Sequence, residues 1–469
     1  MSVSKWILIP GLALLLGLLP ACSLAPPYQR PASPVPASLG APGAPPATEA
    51  NLETADLGWR DFFTDERLKQ LIALSLEHNR DLKMAVLAVA ETRAAYQVQN
   101  SERWPMLEIS GSAAHRGGFE RSSTKSYEAG LGLTLFDLDF FGRLKNMSEA
   151  AWQQYLATAE AARQVKIALI SQVAQSYLVE RLAREELTLA QSSLASWSTS
   201  FAFIERLLAA GQATLLDLEQ ARGMIEFARV EAARREIEVT RAVNALNILL
   251  GAYEPLALPP APPLLSQTLA TLPAQVMSTS LLRRPDVAGA ERQLLAANAD
   301  IGAARAAFFP SLSLTSDLGY MSENLGRLFT GANSAWSFIP RLSAPVFTGG
   351  RNRSNLKLAE IRKDQAIVQY EMTIEAAFRE VADALLAREA FHRQFQAQQK
   401  YLSSQRLVLD LATAQYASGA VSYLEVLDAQ RNVFQAEQDL LAIKQEQLSN
   451  DINLYTALGG GLNERGQNP

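Results

Sequence analysis

The side chains of this chain best placed for chemistry are carboxylates at helical spacing. Glu425 and Asp428 follow Gly419 at i and i+3, which puts both on one face of a helix. An earlier stretch of the chain places Asp217 where this one has Glu425. Two readings stay open for such a set. It is either a solvated acidic face near a helix N-terminus, which the helix dipole favours, or a patch that attracts cations and whose members raise one another's pKa. Other chemistry is sparse. His78, His115 and His392 are scattered without ligand-like spacing, and the one cysteine, Cys22, excludes an internal disulfide and a multi-cysteine metal site. The sequence contains neither a Gly-x4-Gly-Lys-Ser/Thr phosphate loop nor a Gly-x-Ser-x-Gly elbow, and Gly459-Gly460-Gly461 reads as a helix terminator. The expectation is a protein that is not an enzyme and needs no cofactor or metal, so that energy for any transport comes from another protein.

Cys22 has chemistry of a different kind. Lys5 precedes an apolar stretch from Trp6 to Leu19, shorter than the roughly 20 residues a membrane-spanning helix needs, and Leu19-Pro20-Ala21-Cys22 closes it. The sequence predicts a signal at 1–21. The closing residues resemble a bacterial lipobox, which implies cleavage before Cys22 and acylation of it, and Ser23 after it implies sorting to the outer membrane.

Composition bounds the rest. The chain has 469 residues, 48% of them hydrophobic, and a net charge of −5, so there is no basic excess to attract nucleic acid. Residues 22–60 are rich in Pro and Ala and read as an extended lipidated tether. A second Pro-rich stretch, 252–273, reads as a connector. It separates two copies of one unit, 61–251 and 274–459, with a short tail at 460–469. Arg143 and Arg351, Gly211 and Gly419, and Leu216 and Leu424 each lie 208 positions apart, whereas Asp81 and Asp286, and Pro105 and Pro310, lie 205 apart.

Each copy alternates two ingredients. Leu107 and Ile109 alternate with Glu108 and Ser110, and Tyr127, Leu131, Leu133 and Leu135 alternate with Glu128, Gly130, Gly132 and Thr134, which predicts strands of about ten residues with one greasy face. In the second copy Leu312 and Leu314, then Trp336, Phe338 and Leu342, repeat the pattern. The last strand is one residue out of phase, so an irregularity is expected near Pro340 and Pro345, and residues 115–126 and 321–335 are expected as loops outside the cell. From Arg143 to Ala209 and from Arg351 to Ala417 there is neither Pro nor Gly, predicting helices roughly 100 Å long at 1.5 Å per residue. Stretches 65–103, 211–250, 285–308 and 419–458 supply shorter helices. An open sheet edge is not tolerated in lipid, so four strands need other chains, and three copies give twelve.

Taken together, Arg283-Arg284-Pro285-Asp286, Phe309-Pro310-Ser311-Leu312, Pro345-Val346-Phe347-Thr348-Gly349-Gly350-Arg351, Phe141-Gly142-Arg143 and the run Tyr423-Leu424-Glu425-Val426-Leu427-Asp428 resemble the TolC-like outer-membrane factors, in their efflux lipoprotein branch. The resemblance implies a mixed α+β membrane protein: a homotrimer whose twelve-stranded barrel, four strands from each chain, continues into a long periplasmic helical barrel. It implies a lipid-anchored location in the outer membrane of a Gram-negative bacterium. It also implies work as the passive exit duct of a tripartite system for small molecules (drugs, toxic organics or metals), with a periplasmic adaptor and an inner-membrane pump of RND, MFS or ABC type. Alternatives are the exit duct of a type I protein secretion system or a non-conducting structural lipoprotein. Residue by residue, Asp428 resembles the acidic ring of the closed periplasmic mouth, with Glu425 beside it. Leu424 resembles a hydrophobic ring, and Tyr416 and Asp217 match positions that link neighbouring hairpins when shut. Val421 stands where some members carry an Arg of that network.

Overall fold

The computed structural model describes residues 23–40, 57–118, 121–253 and 258–465. The expected signal and Cys22 lie outside the described residues, as does part of the expected tether. In chain order the elements are β1 (Ser38–Gly40), α1 (Trp59–Phe62), α2 (Glu66–His78), α3 (Arg80–Ser101), β2 (Leu107–Gly118), β3 (Arg121–Leu138), α4 (Arg143–Ala209), α5 (Leu215–Leu250), β4 (Gln275–Met277), α6 (Pro285–Ala306), β5 (Ser311–Ser322), β6 (Ser334–Ser343), α7 (Arg351–Ala417) and α8 (Tyr423–Ala457). They form two units. One takes residues 23–32, 87–159 and 288–372, and the other takes the described residues of 33–86, 160–287 and 373–469.

The first unit carries an antiparallel sheet of order β2-β3-β5-β6. Its register fixes what each face presents. Ile109, Leu131, Leu318 and Trp336 form one row across all four strands, and Glu108, Gly132, Asp317 and Ser337 form the next row on the opposite face. All four side chains of the apolar row are exposed. Alternation therefore builds a greasy face that nothing among the described residues covers, backed by a polar one.

Two expectations about this sheet change. The irregularity lies in β3, between Leu133 and Phe136, and not in β6, whose pairing with β5 runs without a shift from Ser311–Ser343 to Tyr320–Ser334. Leu135 sits in that bulge with φ 44, and beyond it Phe136 and Leu138 oppose Leu314 and Leu312. One inserted residue thus moves the greasy face of β3 from odd to even positions, the same parity β6 has. The stretch 115–126, expected as a loop, is largely strand: His115 pairs with Lys125 and Arg116 with Thr124, so β3 reaches 18 residues.

Residues 23–32, read as part of a tether, are seated in this unit. Ser23 Oγ donates to Asn146 Oδ1 at 2.7 Å, Asn298 donates to the Pro26 carbonyl at 2.9 Å and Arg305 to the Leu24 carbonyl at 3.2 Å. Glu291 on α6 closes the clip. It accepts from Tyr28 Oη at 2.9 Å and from Arg30 through Nε and Nη2 at 2.8 and 2.9 Å. Burial and this acceptor both raise the Tyr28 phenol pKa.

In the second unit, α2 and α3 are separate helices where one was expected. Asn79, extended at ψ 131, ends α2, and its side chain donates to the Leu249 carbonyl and accepts from the Leu82 amide, both at 2.9 Å. Phe62 stacks on Tyr455 with ring centroids 3.9 Å apart. Asp65 uses one oxygen to cap α2 at Arg67 and the other to accept from the buried Tyr177 at 2.6 Å. Arg284 reaches the Ala457 carbonyl at 2.7 Å, Asp286 at 2.7 Å and Glu380 at 2.8 Å, which accounts for its place before Pro285-Asp286 at the start of α6. The Pro-rich connector packs here too: Leu264 is buried, Arg67 donates to the Pro259 carbonyl, and Phe63 bridges Leu269. β1 and β4, too short to show in the sequence pattern, pair antiparallel.

The Glu291 clip gives a direct test. Its hydrogen bonds are charge-assisted but partly solvated, so losing them costs about 1–2 kcal/mol of local stability. Glu291→Ala is expected to speed chymotryptic cleavage after Tyr28 by about tenfold, since cleavage follows local opening. An unchanged rate means that other contacts hold the strap.

Candidate functional site

The second unit makes the same turn twice. α4 ends at Gly211, φ +72, where Gly211 donates to the Leu208 carbonyl at 2.9 Å and Gln212 to Leu207 at 2.8 Å. α7 ends at Gly419, φ +76, where Gly419 donates to Tyr416 and Ala420 to Gln415, both at 2.9 Å. Each turn needs a left-handed residue to close its helix, and each has glycine there.

The helix after each turn starts differently. Thr214 and Asp217 form a capping box: the Asp217 amide donates to Thr214 Oγ1 at 3.2 Å, and Asp217 Oδ2 accepts from the Thr214 amide at 2.9 Å. Ser422 and Glu425 hold the equivalent positions, but the Ser422 side chain makes no cap hydrogen bond, and Glu425 is exposed. The box occupies the Asp217 carboxylate, while that of Glu425 stays at the surface.

The two tips share one apolar core. Trp197, Ile204, Leu218 and Met224 of the first hairpin cluster with Tyr423, Val426, Leu427 and Phe434 of the second. Trp197 meets Phe434 edge-on with centroids 5.5 Å apart, and Tyr416 lies 5.3 Å from Tyr423. Burial raises the Tyr416 pKa, with Asp217 adding to it. Tyr423 is pushed up to about 12 by burial first, then by Tyr416 and Asp217.

With Tyr423, Val426 and Leu427 turned inward, the helical period turns Leu424, Glu425 and Asp428 outward, and all three are exposed. The structure therefore places Asp217 beside Tyr416, and puts Leu424, Glu425 and Asp428 on one outward face. Asp428 is not alone there: Arg431 Nη1 lies 3.2 Å from its Oδ1, and Arg431 Nε lies 3.3 Å from Met224 Sδ. Sequence reasoning passed over three participants. Thr214 was visible as Thr-x-x-Asp, Arg431 as the residue three beyond Asp428, and Leu216, also exposed, as the repeat counterpart of Leu424. Among the described residues no group of three or more His, Cys, Asp or Glu is placed to hold a metal ion, and no helix is long and apolar enough to cross a membrane.

The family model for outer membrane efflux proteins matches this chain twice, at residues 71–252 and 276–460, one match to each repeat. The chain is 50% identical over 448 residues to the cation efflux system protein CusC of Escherichia coli O157:H7, covering 94% of this chain and 96% of that one. It is 47% identical to the probable outer membrane lipoprotein SilC of Salmonella typhimurium, covering 94% and 95% of the two chains. Among solved structures, the open state of the Neisseria gonorrhoeae MtrE outer membrane channel superposes with a TM-score of 0.89 at 35% identity, over 95% of this chain and all of that one.

The Tyr423 shift has a signed consequence. A raised phenol favours the neutral form in the folded tip, so its support is complete below pH 10 and lost as pH rises through about 12. Tyr423→Phe is expected to remove one phenol from the late-titrating group in an ultraviolet absorbance titration. Loss of a phenol from the ordinary range near pH 10 instead contradicts the packing described.

Proposed function

We propose, because this chain belongs to the outer membrane efflux protein family, that three copies of it close a barrel and form the passive exit duct of a tripartite efflux system in the outer membrane. The observation that carries the reading is the sheet: four strands with, among the described residues, a greasy face left uncovered and two edge strands without partners. Water does not account for such a face, and lipid does not accept such edges. A structural lipoprotein that conducts nothing has no use for either.

The sequence and the family supply the rest of the reading. Cys22 carries the acyl anchor, and the chain catalyses nothing, so the energy comes from an inner-membrane pump reached through a periplasmic adaptor. At the periplasmic mouth Leu216 and Leu424 exclude water, and Glu425 and Asp428 favour cations until the adaptor spreads the tips. Tyr416 and Asp217 hold the paired tips. The proposed cargo is cationic. Two facts support this: outward carboxylates at the tips, and half of the 448 aligned positions shared with a protein named for cation efflux.

Planar-bilayer recording tests the mouth. Glu425→Gln with Asp428→Asn is expected to bring the cation-to-anion permeability ratio down toward unity and to relieve block by multivalent cations. Leu216→Ala with Leu424→Ala is expected to raise conductance. Wild-type values in both variants place the constriction elsewhere on the chain.

A further inference from the structure

The seam between the two repeats inside one chain shows what the seam between two chains must look like. Inside the chain, β3 descends from the hairpin end toward the helices, and β5 rises beside it. At their feet the exit of the first repeat, Leu138 to Arg143, meets the entry of the second, Phe309-Pro310-Ser311. Phe141 stacks on Phe309 there, with centroids 4.6 Å apart and the rings 19° from parallel. Two acids fix this exit from within: Asp137 pairs with Arg143 at 3.0 Å, and Asp139 accepts from the Lys145 amide at 2.7 Å.

The second repeat's exit, Pro345 to Arg351, has the opposite character. It contains no acid, its glycines 349 and 350 have φ of +59 and +87, and a Cβ added to either would meet nothing within 4 Å. Phe347 is its only aromatic side chain and is 90% exposed. The first repeat's entry is equally bare. Trp104-Pro105 stands 205 positions before Phe309-Pro310, yet Trp104 is 71% exposed where Phe309 is 43%. Beside it opens a cavity of about 520 Å³ lined by Trp104, Pro105, Met106, Leu135 and Phe136.

These orphaned feet belong to the two edge strands, Trp104 just before β2 and Phe347 just after β6. β6 descends and β2 rises, so β6 of one copy set against β2 of the next reproduces the β3–β5 pairing in direction and brings the helix-side ends together. We propose that Phe347 of each copy seats against Trp104 of the next, in the cavity at the foot of β2, as the counterpart between chains of the Phe141–Phe309 stack. The occupant is a second copy of this chain and not lipid, because the same edges need backbone partners that lipid does not offer. The inference rests on the trimer reading above and adds the residue pair that locks its seam.

The test uses the full-length chain in outer membranes, with Cys22 left as it is. Trp104→Cys with Phe347→Cys, treated with a short bis-maleimide, is expected to give covalent dimers and trimers on a denaturing gel, and each single substitution to give none. The mass of the detergent-extracted complex is measured alongside. A trimeric mass without cross-links overturns the Phe347–Trp104 contact and leaves the trimer standing, whereas a monomeric mass overturns both. Should the cysteine pair fail to reach the membrane, single replacements at Phe347 decide. Phe347→Ala is expected to speed heat dissociation of the assembly by roughly tenfold or more, since aromatic pairs add to simple burial at every seam, and Phe347→Tyr to restore it. Equal dissociation rates for wild type, Phe347→Ala and Phe347→Tyr overturn the contact.

Discussion

A backbone amide in hydrocarbon must find its partner within protein, and every other feature of this chain answers to that constraint. On the proposed reading the Ile109, Leu131, Leu318 and Trp336 row commits one face of the sheet to lipid, yet among the described residues β2 and β6 end the sheet with open edges. In the proposed trimer such a sheet is one third of a closed ring. In the proposed barrel the polar row behind it, Glu108, Gly132, Asp317 and Ser337, lines the lumen, and the bulge at Leu135 sets the greasy face of β3 to the parity of β6. On the proposed reading, association and conduction both follow from one set of unpaired hydrogen-bonding groups.

Duplication supplies the second organising fact. Each repeat delivers a descending strand, a long helix closed by a left-handed glycine and a returning helix, and small departures distinguish the two copies. The Thr214–Asp217 box ties up one carboxylate, and its unfinished counterpart at Ser422 and Glu425 leaves another free. Asp137 and Asp139 hold the first strand exit within the chain, and the glycine-rich second exit is left to reach outward. In the proposed assembly the first copy serves internal cohesion and the second serves contacts beyond the chain.

Long-range regularity was legible in the sequence, and local exceptions were not. The helices Arg143–Ala209 and Arg351–Ala417 begin with runs free of Pro and Gly and end within one residue of where those runs end, because such runs leave the helix nothing to stop it. The strands were found by alternation, but the bulge was assigned to β6 on the strength of its prolines, when the slip in parity belonged to β3. The break at Asn79 was missed because a side chain that caps one helix and bonds Leu249 looks no different in sequence from a surface Asn. The seating of residues 23–32 depends on Glu291, Asn298 and Arg305, which lie far along the chain, so composition alone suggested a loose tether. At the tips, spacing places Glu425 and Asp428 on one face, whereas the burial of Tyr423 beneath them required the second hairpin.

Electron cryomicroscopy of the full-length protein in lipid nanodiscs tests the central claim most directly, because it shows what lies against the two free edges. The account predicts a closed ring of twelve strands, four from each of three copies, with β6 of every copy hydrogen-bonded to β2 of the next. A four-stranded sheet whose edges face lipid, or are capped by a different protein, contradicts it.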